Sequence, residues 1–179
     1  PGSDYIYYSY YDTSDFLVPN DSDVGPVTEL KGTLFFSAFN DITGRELWKS
    51  DGTETGTVLV KDINPSSTYR YRYGYFEESS FPYSLTVMND TLFFSADNGS
   101  KGRELWKSDG TEERTVRVKD INSGRGDSRP DNLTEIDATL FFTADDGSNG
   151  TELWKSDGTG EGTVLVKDIR PGDRGSNPA

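Results

Sequence analysis

No cysteine and no histidine occur anywhere in the 179 residues. Their joint absence removes the thiolate nucleophile, the imidazole general base and the commonest zinc and copper ligands, and with them most hydrolase and oxidoreductase constellations. It also leaves no disulfide frame from which to read the compartment. Nowhere does an apolar run approach the roughly 20 residues that cross a bilayer as a helix, so membrane insertion is not expected. The opening Pro1-Gly2-Ser3-Asp4 lacks the basic-then-apolar pattern of a secretory signal, and any targeting signal is expected outside this stretch. Positive charge is scarce as well: 18 Lys and Arg stand against 31 Asp and Glu, a formal −13. That balance repels phosphate backbones, so nucleic acid is not an expected partner.

What the chain does have is aromatic side chains and repetition. Hydrophobic residues make up only 32% but aromatics reach 13%, so a core must rest on a few large rings. The string Glu-Leu-Trp-Lys-Ser-Asp-Gly-Thr occurs three times, beginning at Glu46, Glu104 and Glu152. Thr-Leu-Phe-Phe precedes it each time, from Thr33, Thr91 and Thr139, and Val-Lys-Asp-Ile follows it, from Val60, Val118 and Val166. Trp48 and Trp106 stand 58 residues apart and Trp106 and Trp154 stand 48 apart, which places ten extra residues in the second unit, at 69–78.

Each unit reads as four short strands. In the third these are Asn132 to Ile136, Thr139 to Ala144, Thr151 to Ser156 and Thr163 to Ile169, separated by Asp-Gly and Asn-Gly steps that suit hairpin turns. Leu34-Phe35-Phe36 and Val58-Leu59-Val60 are contiguous apolar runs rather than alternations, so their sheets are expected to be covered on both faces. The expected fold is all-β, with three four-stranded antiparallel blade-like repeats in a β-propeller-like arrangement, partial or completed by other chains. A β-trefoil, also three units of four strands, is the alternative. The organisation follows: a Tyr-rich N-terminal segment over 1–24, repeats over 25–64, 65–122 and 123–170, and the start of a further linker over 171–179. Both ends resemble inter-unit linkers, as expected of a segment cut from a longer array.

Units with TLFF, then ELWKSDGT, then GTVLVKDI resemble the ELWxxDGT repeat of large bacterial surface and secreted proteins. The resemblance implies a propeller-like extracellular or cell-surface module, and it implies no enzymatic activity. The second unit departs from the pattern at Glu113-Arg114-Thr115-Val116-Arg117-Val118, where its loop and fourth strand are expected to be more exposed.

The candidate residues divide into three groups. The repeated motif supplies the structural set: Glu46, Leu47, Trp48, Asp51, Gly52 and Thr53, with Glu104, Leu105, Trp106, Asp109, Gly110 and Thr111, and Glu152, Leu153, Trp154, Asp157, Gly158 and Thr159. An indole beside a carboxylate suits a sugar, but residues fixed in every copy suit packing better: tryptophans in the layer between blades, leucines facing oppositely, aspartates bonding turn amides. The interaction set is Tyr5, Tyr7, Tyr8, Tyr10 and Tyr11 with Tyr69, Tyr71, Tyr73 and Tyr75, rings that a solvated linker would leave unused. Calcium is the one metal considered, with Asp97, Asn98, Asp145, Asp146 and Asn149 offering oxygens in loops that match no EF-hand spacing. Arg125-Gly126-Asp127 is an integrin-type tripeptide, but it falls in an inter-unit linker. No carboxylate pair stands out as catalytic.

The reading favoured is a non-catalytic structural and interaction protein whose partner is itself, in an oligomer or filament. A surface adhesin binding a glycan or protein ligand is the alternative.

Overall fold

A computed structural model describes residues 24–70 and 74–178, those of 68–77 in backbone only. Three four-stranded antiparallel sheets follow one another along the chain. The first contains β1 (Thr28–Leu30), β2 (Thr33–Asn40), β3 (Gly44–Ser50) and β4 (Val58–Lys61). The ten-residue insertion contributes to a separate hairpin of β5 (Ser67–Arg70) and β6 (Gly74–Glu77). The second sheet contains β7 (Tyr83–Met88), β8 (Thr91–Asp97), β9 (Arg103–Ser108) and β10 (Val116–Lys119). The third contains β11 (Asp131–Ile136), β12 (Thr139–Asp145), β13 (Thr151–Ser156) and β14 (Val164–Lys167). Strands lie in sequence order within each sheet and no barrel closes among the described residues, so the trefoil is not the architecture.

The register repeats from unit to unit. Phe36 faces Trp48 across the central ladder, Phe94 faces Trp106, and Phe142 faces Trp154. In each fourth strand the pairing slips by one residue after the partner of Trp, leaving Val60, Val118 and Val166 as the extra residue of a β-bulge. A bulge bends its strand and increases its twist. It directs both Val60 and Lys61 toward the second sheet, where Val60 joins the shared core and Lys61 Nζ reaches the Thr115 carbonyl.

The core lies between sheets. One cluster joins Leu30, Phe35, Leu47, Val60 and Ile63 of the first unit to Leu92, Phe94, Ala96 and Trp106 of the second. The next joins Met88, Phe93, Leu105 and Ile121 of the second unit to Leu133, Leu140, Phe142, Ala144 and Trp154 of the third. Adjacent residues of one strand, such as Phe93 and Phe94, therefore serve different cores, because side chains alternate across a strand.

Three expectations change. The fourth strand of the third sheet ends at Lys167, not Ile169, because the chain turns away to place the Arg170 amide on the Glu152 carboxylate. The departing segment of the second unit lies between its counterparts: Val118 is half-buried where Val60 is buried and Val166 exposed, and Arg114 is exposed, while Thr115 is fully buried. Among the described residues, a sheet covers both faces of the middle sheet alone. Leu92 and Leu140 are fully buried while Leu34, their equivalent, is 39% exposed.

Candidate functional site: the contact between successive sheets

The sheet-to-sheet contact is made twice from equivalent positions, and three layers of interaction build it. The first is apolar: the paired Phe, Leu, Val and Ile of one sheet meet the Leu, Phe, Ala and Trp of the next. Burying such side chains stabilises by about 1.5–3 kcal/mol each.

A pair of lysine locks forms the second layer. Lys49 Nζ donates to the Gly110 carbonyl at 2.7 Å, and Lys107 Nζ donates to the Gly158 carbonyl at 2.7 Å. Lys61 Nζ reaches the Thr115 carbonyl at 3.1 Å, and Lys119 Nζ the Thr163 carbonyl at 2.6 Å. The lysine stems lie along the interface while the ammonium reaches a carbonyl of the next Asp-Gly-Thr loop. Glycine is needed in that loop because the ring of the preceding sheet's phenylalanine sits where a side chain would be. A Cβ on Gly110 would meet Phe35 Cζ at 2.9 Å, and one on Gly158 would meet Phe93 Cζ at 3.0 Å.

The third layer is a carboxylate clip. Glu46 accepts the Ile63 amide at 3.0 Å, the Ser80 amide at 2.9 Å and the Ser80 hydroxyl at 2.5 Å. Glu104 accepts the amides of Ile121 and Asn122 at 2.8 and 3.1 Å and the Ser128 hydroxyl at 2.7 Å. Glu152 accepts the amides of Arg170 and Ser176 at 3.2 and 2.8 Å and also the Ser176 hydroxyl. Each carboxylate thus fixes the linker that leaves its own sheet. Room for that linker comes from the glycine two residues earlier: a Cβ on Gly102 would lie 2.1 Å from the Gly126 carbonyl oxygen.

The three glutamates differ electrostatically. Burial pushes Glu46 and Glu104 up to about 7, against the pull of their hydrogen bonds from Ser80 and Ser128 and from backbone amides; Asp62 and Asp120 add to the upward push. Glu152 is equally hidden from solvent, yet its hydrogen bonds, led by Ser176, outweigh the cost of burial and hold it below the ordinary glutamate value. No described sheet follows the third to surround it.

The clip serines were missed by sequence reasoning. Ser128 and Ser176 stand 24 residues beyond their glutamates, and Ser80 stands 34 beyond, the difference being the insertion. The available signal was Ser-X-Pro, present as Ser80-Phe81-Pro82, Ser128-Arg129-Pro130 and Ser176-Asn177-Pro178.

The other candidates distribute as follows. Trp106 and Trp154 are 6% exposed within the two clusters, which leaves their faces closed to a stacking sugar, while Trp48 is half-buried. Leu47 and Leu105 sit at 0% exposure on the opposite side, and Leu153, their equivalent, is half-buried. Asp51, Asp109 and Asp157 each accept the amide and hydroxyl of the threonine two residues on, Thr53, Thr111 and Thr159. The threonine hydroxyl, then its amide, holds Asp51 and Asp157 below the ordinary aspartate value.

The calcium candidates use their oxygens locally. Asp97 and Asp145 accept the amides of Gly99 and Gly147, Asn98 those of Ser100 and Lys101, and Asp146 those of Ser148 and Asn149 together with the Asn149 side chain. Among the described residues no three acidic side chains gather to hold a metal. Asp127 of the integrin-type tripeptide accepts the Arg103 amide, and its neighbour Ser128 belongs to the clip. Tyr5, Tyr7, Tyr8, Tyr10, Tyr11, Tyr71 and Tyr73 lie outside the described residues; Tyr69 and Tyr75 pair across the inserted hairpin, described there in backbone only.

A cleft of about 580 Å³ opens between the first and second sheets, with Pro26, Ser37, Arg45, Phe81, Tyr83 and Leu85 in its wall. Phe81 is 53% exposed, and the Arg103 guanidinium stands 5.1 Å over the Tyr83 ring. No family model, curated protein or solved structure matches the chain.

Proposed function

We propose that this chain is a non-catalytic structural and interaction module of the cell surface that assembles with itself, its sheets acting as propeller-like blades. One observation carries the reading: the sheet-to-sheet contact recurs inside the chain, and among the described residues the first and third sheets each carry one half of it with no partner sheet. Val166 and Ile169 of the third unit are 44% and 54% exposed, whereas Val60 and Ile63 of the first are 5% and 3% exposed. Surfaces of this kind mark interaction sites. The repeated carboxylates support the absence of catalysis, since each clip glutamate and loop aspartate already serves neighbouring amides and hydroxyls. The cell-surface placement rests on the resemblance to ELWxxDGT repeats alone. Sedimentation velocity across a wide concentration range tests self-assembly: species larger than a monomer are expected, and a monomer at every concentration rejects it.

The cleft beside Phe81 and Tyr83 favours a second reading, an adhesin gripping a glycan or protein ligand, because apolar concave walls with a few polar groups suit a small ligand. Saturable glycan binding that Phe81→Ala abolishes would support it.

A further inference from the structure

The direction of assembly can be read from the residues left open at the two ends. Every internal contact has polarity. One sheet gives Phe, Leu, Val and two lysines; the next receives with Leu, Phe, Ala, Trp and the carbonyls of its Asp-Gly-Thr loop. The third sheet's giving side is uncovered: Phe141 and Leu153 are half-buried where Phe93 and Leu105 are buried, and Ile136 is 54% exposed where Met88 is 2%. Lys155 and Lys167, equivalents of the lock lysines, are exposed, and among the described residues neither meets a carbonyl or a carboxylate. No described sheet covers the first sheet's receiving side, where Leu34 is 39% exposed and Phe36 and Trp48 are half-buried. Its loop is ready in shape: Gly52 has a φ of 89°, matching 92° and 89° at Gly110 and Gly158, but a Cβ there would meet nothing within 4 Å.

We propose that the third sheet of one copy seats on the first sheet of a second copy, reproducing the internal contact with Phe141 over Gly52, Lys155 on the Gly52 carbonyl and Lys167 on the Thr57 carbonyl. This rests on the self-assembly reading and adds its polarity and register. The occupant is argued from continuity: the two half-faces are the same two halves that meet at both contacts inside the chain. A giving face cannot reproduce that contact with another giving face, since two sets of lysines would then oppose each other without carbonyls. The junction is therefore heterologous, and it propagates to a ring or a filament according to whether the rotation closes.

Complementation between half-blocked copies tests it. Leu34→Glu blocks only the receiving face and Val166→Glu only the giving face, both at exposed positions, and circular dichroism checks that each variant stays folded. Lys155→Glu serves as a second giving-face variant that removes no apolar group. Each variant alone should weaken association by at least about tenfold, while an equimolar mixture of Leu34→Glu and Val166→Glu should form a one-to-one dimer through the two intact faces. Wild-type assembly that survives all three substitutions overturns the junction but leaves self-assembly standing. Assembly by one blocked variant alone, through face-to-self pairing, overturns the polarity. A wild-type chain that stays monomeric overturns both this inference and the reading beneath it.

Discussion

The middle sheet and its two neighbours carry nearly the same residues and live in different surroundings. Leu92, Phe94 and Ala96 are at 0% exposure, and so on the other side is Leu105; in the first sheet Leu34 of the same motif is 39% exposed, and in the third Val166 is 44% exposed. The difference teaches that burial here is set by place in the stack rather than by the motif. One unit cannot cover its own strands, which is the general condition of repeat proteins, where stability is shared between neighbours.

Removing a ring tests that comparison most severely. Phe94→Ala empties a fully buried site between two sheets and should cost about 3–5 kcal/mol in a urea titration. Phe36→Ala, at the equivalent half-buried position, should cost no more than about 2 kcal/mol. Equal losses would mean that the first sheet's outer face is covered in solution, and the comparison should then be repeated at low concentration to see whether a second copy covers it.

The clips offer the next contrast. Glu104→Ala strands the amides of Ile121 and Asn122 and the Ser128 hydroxyl, a loss of about 3 kcal/mol. Glu152→Ala strands donors from Arg170, exposed, and Ser176, half-buried, where water can substitute, so about 1 kcal/mol is expected, measured by the same titration. Protonation sharpens the distinction. Glu46 and Glu104 have folded values of about 7, above the ordinary glutamate value of 4.5, so the folded state holds their protons more tightly. Their contribution is fully present below about pH 4.5 and declines as pH rises to about 7, by on the order of 2 kcal/mol per site. Glu152, Asp51 and Asp157 run the other way: their values fall on folding, so their contribution is present above the ordinary carboxylate range and is lost as pH falls through it. Stability should pass through a maximum between these ranges, and Glu104→Gln should flatten the decline toward pH 7. An unchanged slope in Glu104→Gln would show that this site does not titrate there.

How much of this is legible in the sequence follows from distance along the chain. The four strands per unit, the Asp-Thr hairpins and the packing of Trp106 against another sheet depend on local alternation and turn chemistry, and identical residues in triplicate amplify those signals. The clip was not legible, because a serine 24 residues from its glutamate leaves no periodic trace, and Ser-X-Pro is too short to stand out unless the glutamate's need for donors is already known. The hairpin of β5 and β6 was hidden by its interleaved Tyr and Arg, which read as an interaction segment with no turn signal beyond Gly74. Contiguous apolar runs suggested covering on both faces; they could not say which copy of the repeat stands at the edge.

The smallest expected effect isolates one atom of the contact. Gly52, Gly110 and Gly158 share φ values of 89°, 92° and 89°, so alanine at any of them carries the same left-handed backbone cost, about 1 kcal/mol. Only at Gly110 and Gly158 does the new Cβ also press on a phenylalanine ring, at 2.9 and 3.0 Å, and only there must the neighbouring sheet yield. Gly110→Ala should therefore be less stable than Gly52→Ala by about 1 kcal/mol further in dilute solution, read from thermal melts. If Phe141 of another copy lies over Gly52, the gap between the two variants should narrow as protein concentration rises, because the alanine at position 52 then meets the same ring. A gap that stays constant with concentration would leave Gly52 uncovered and place the junction elsewhere.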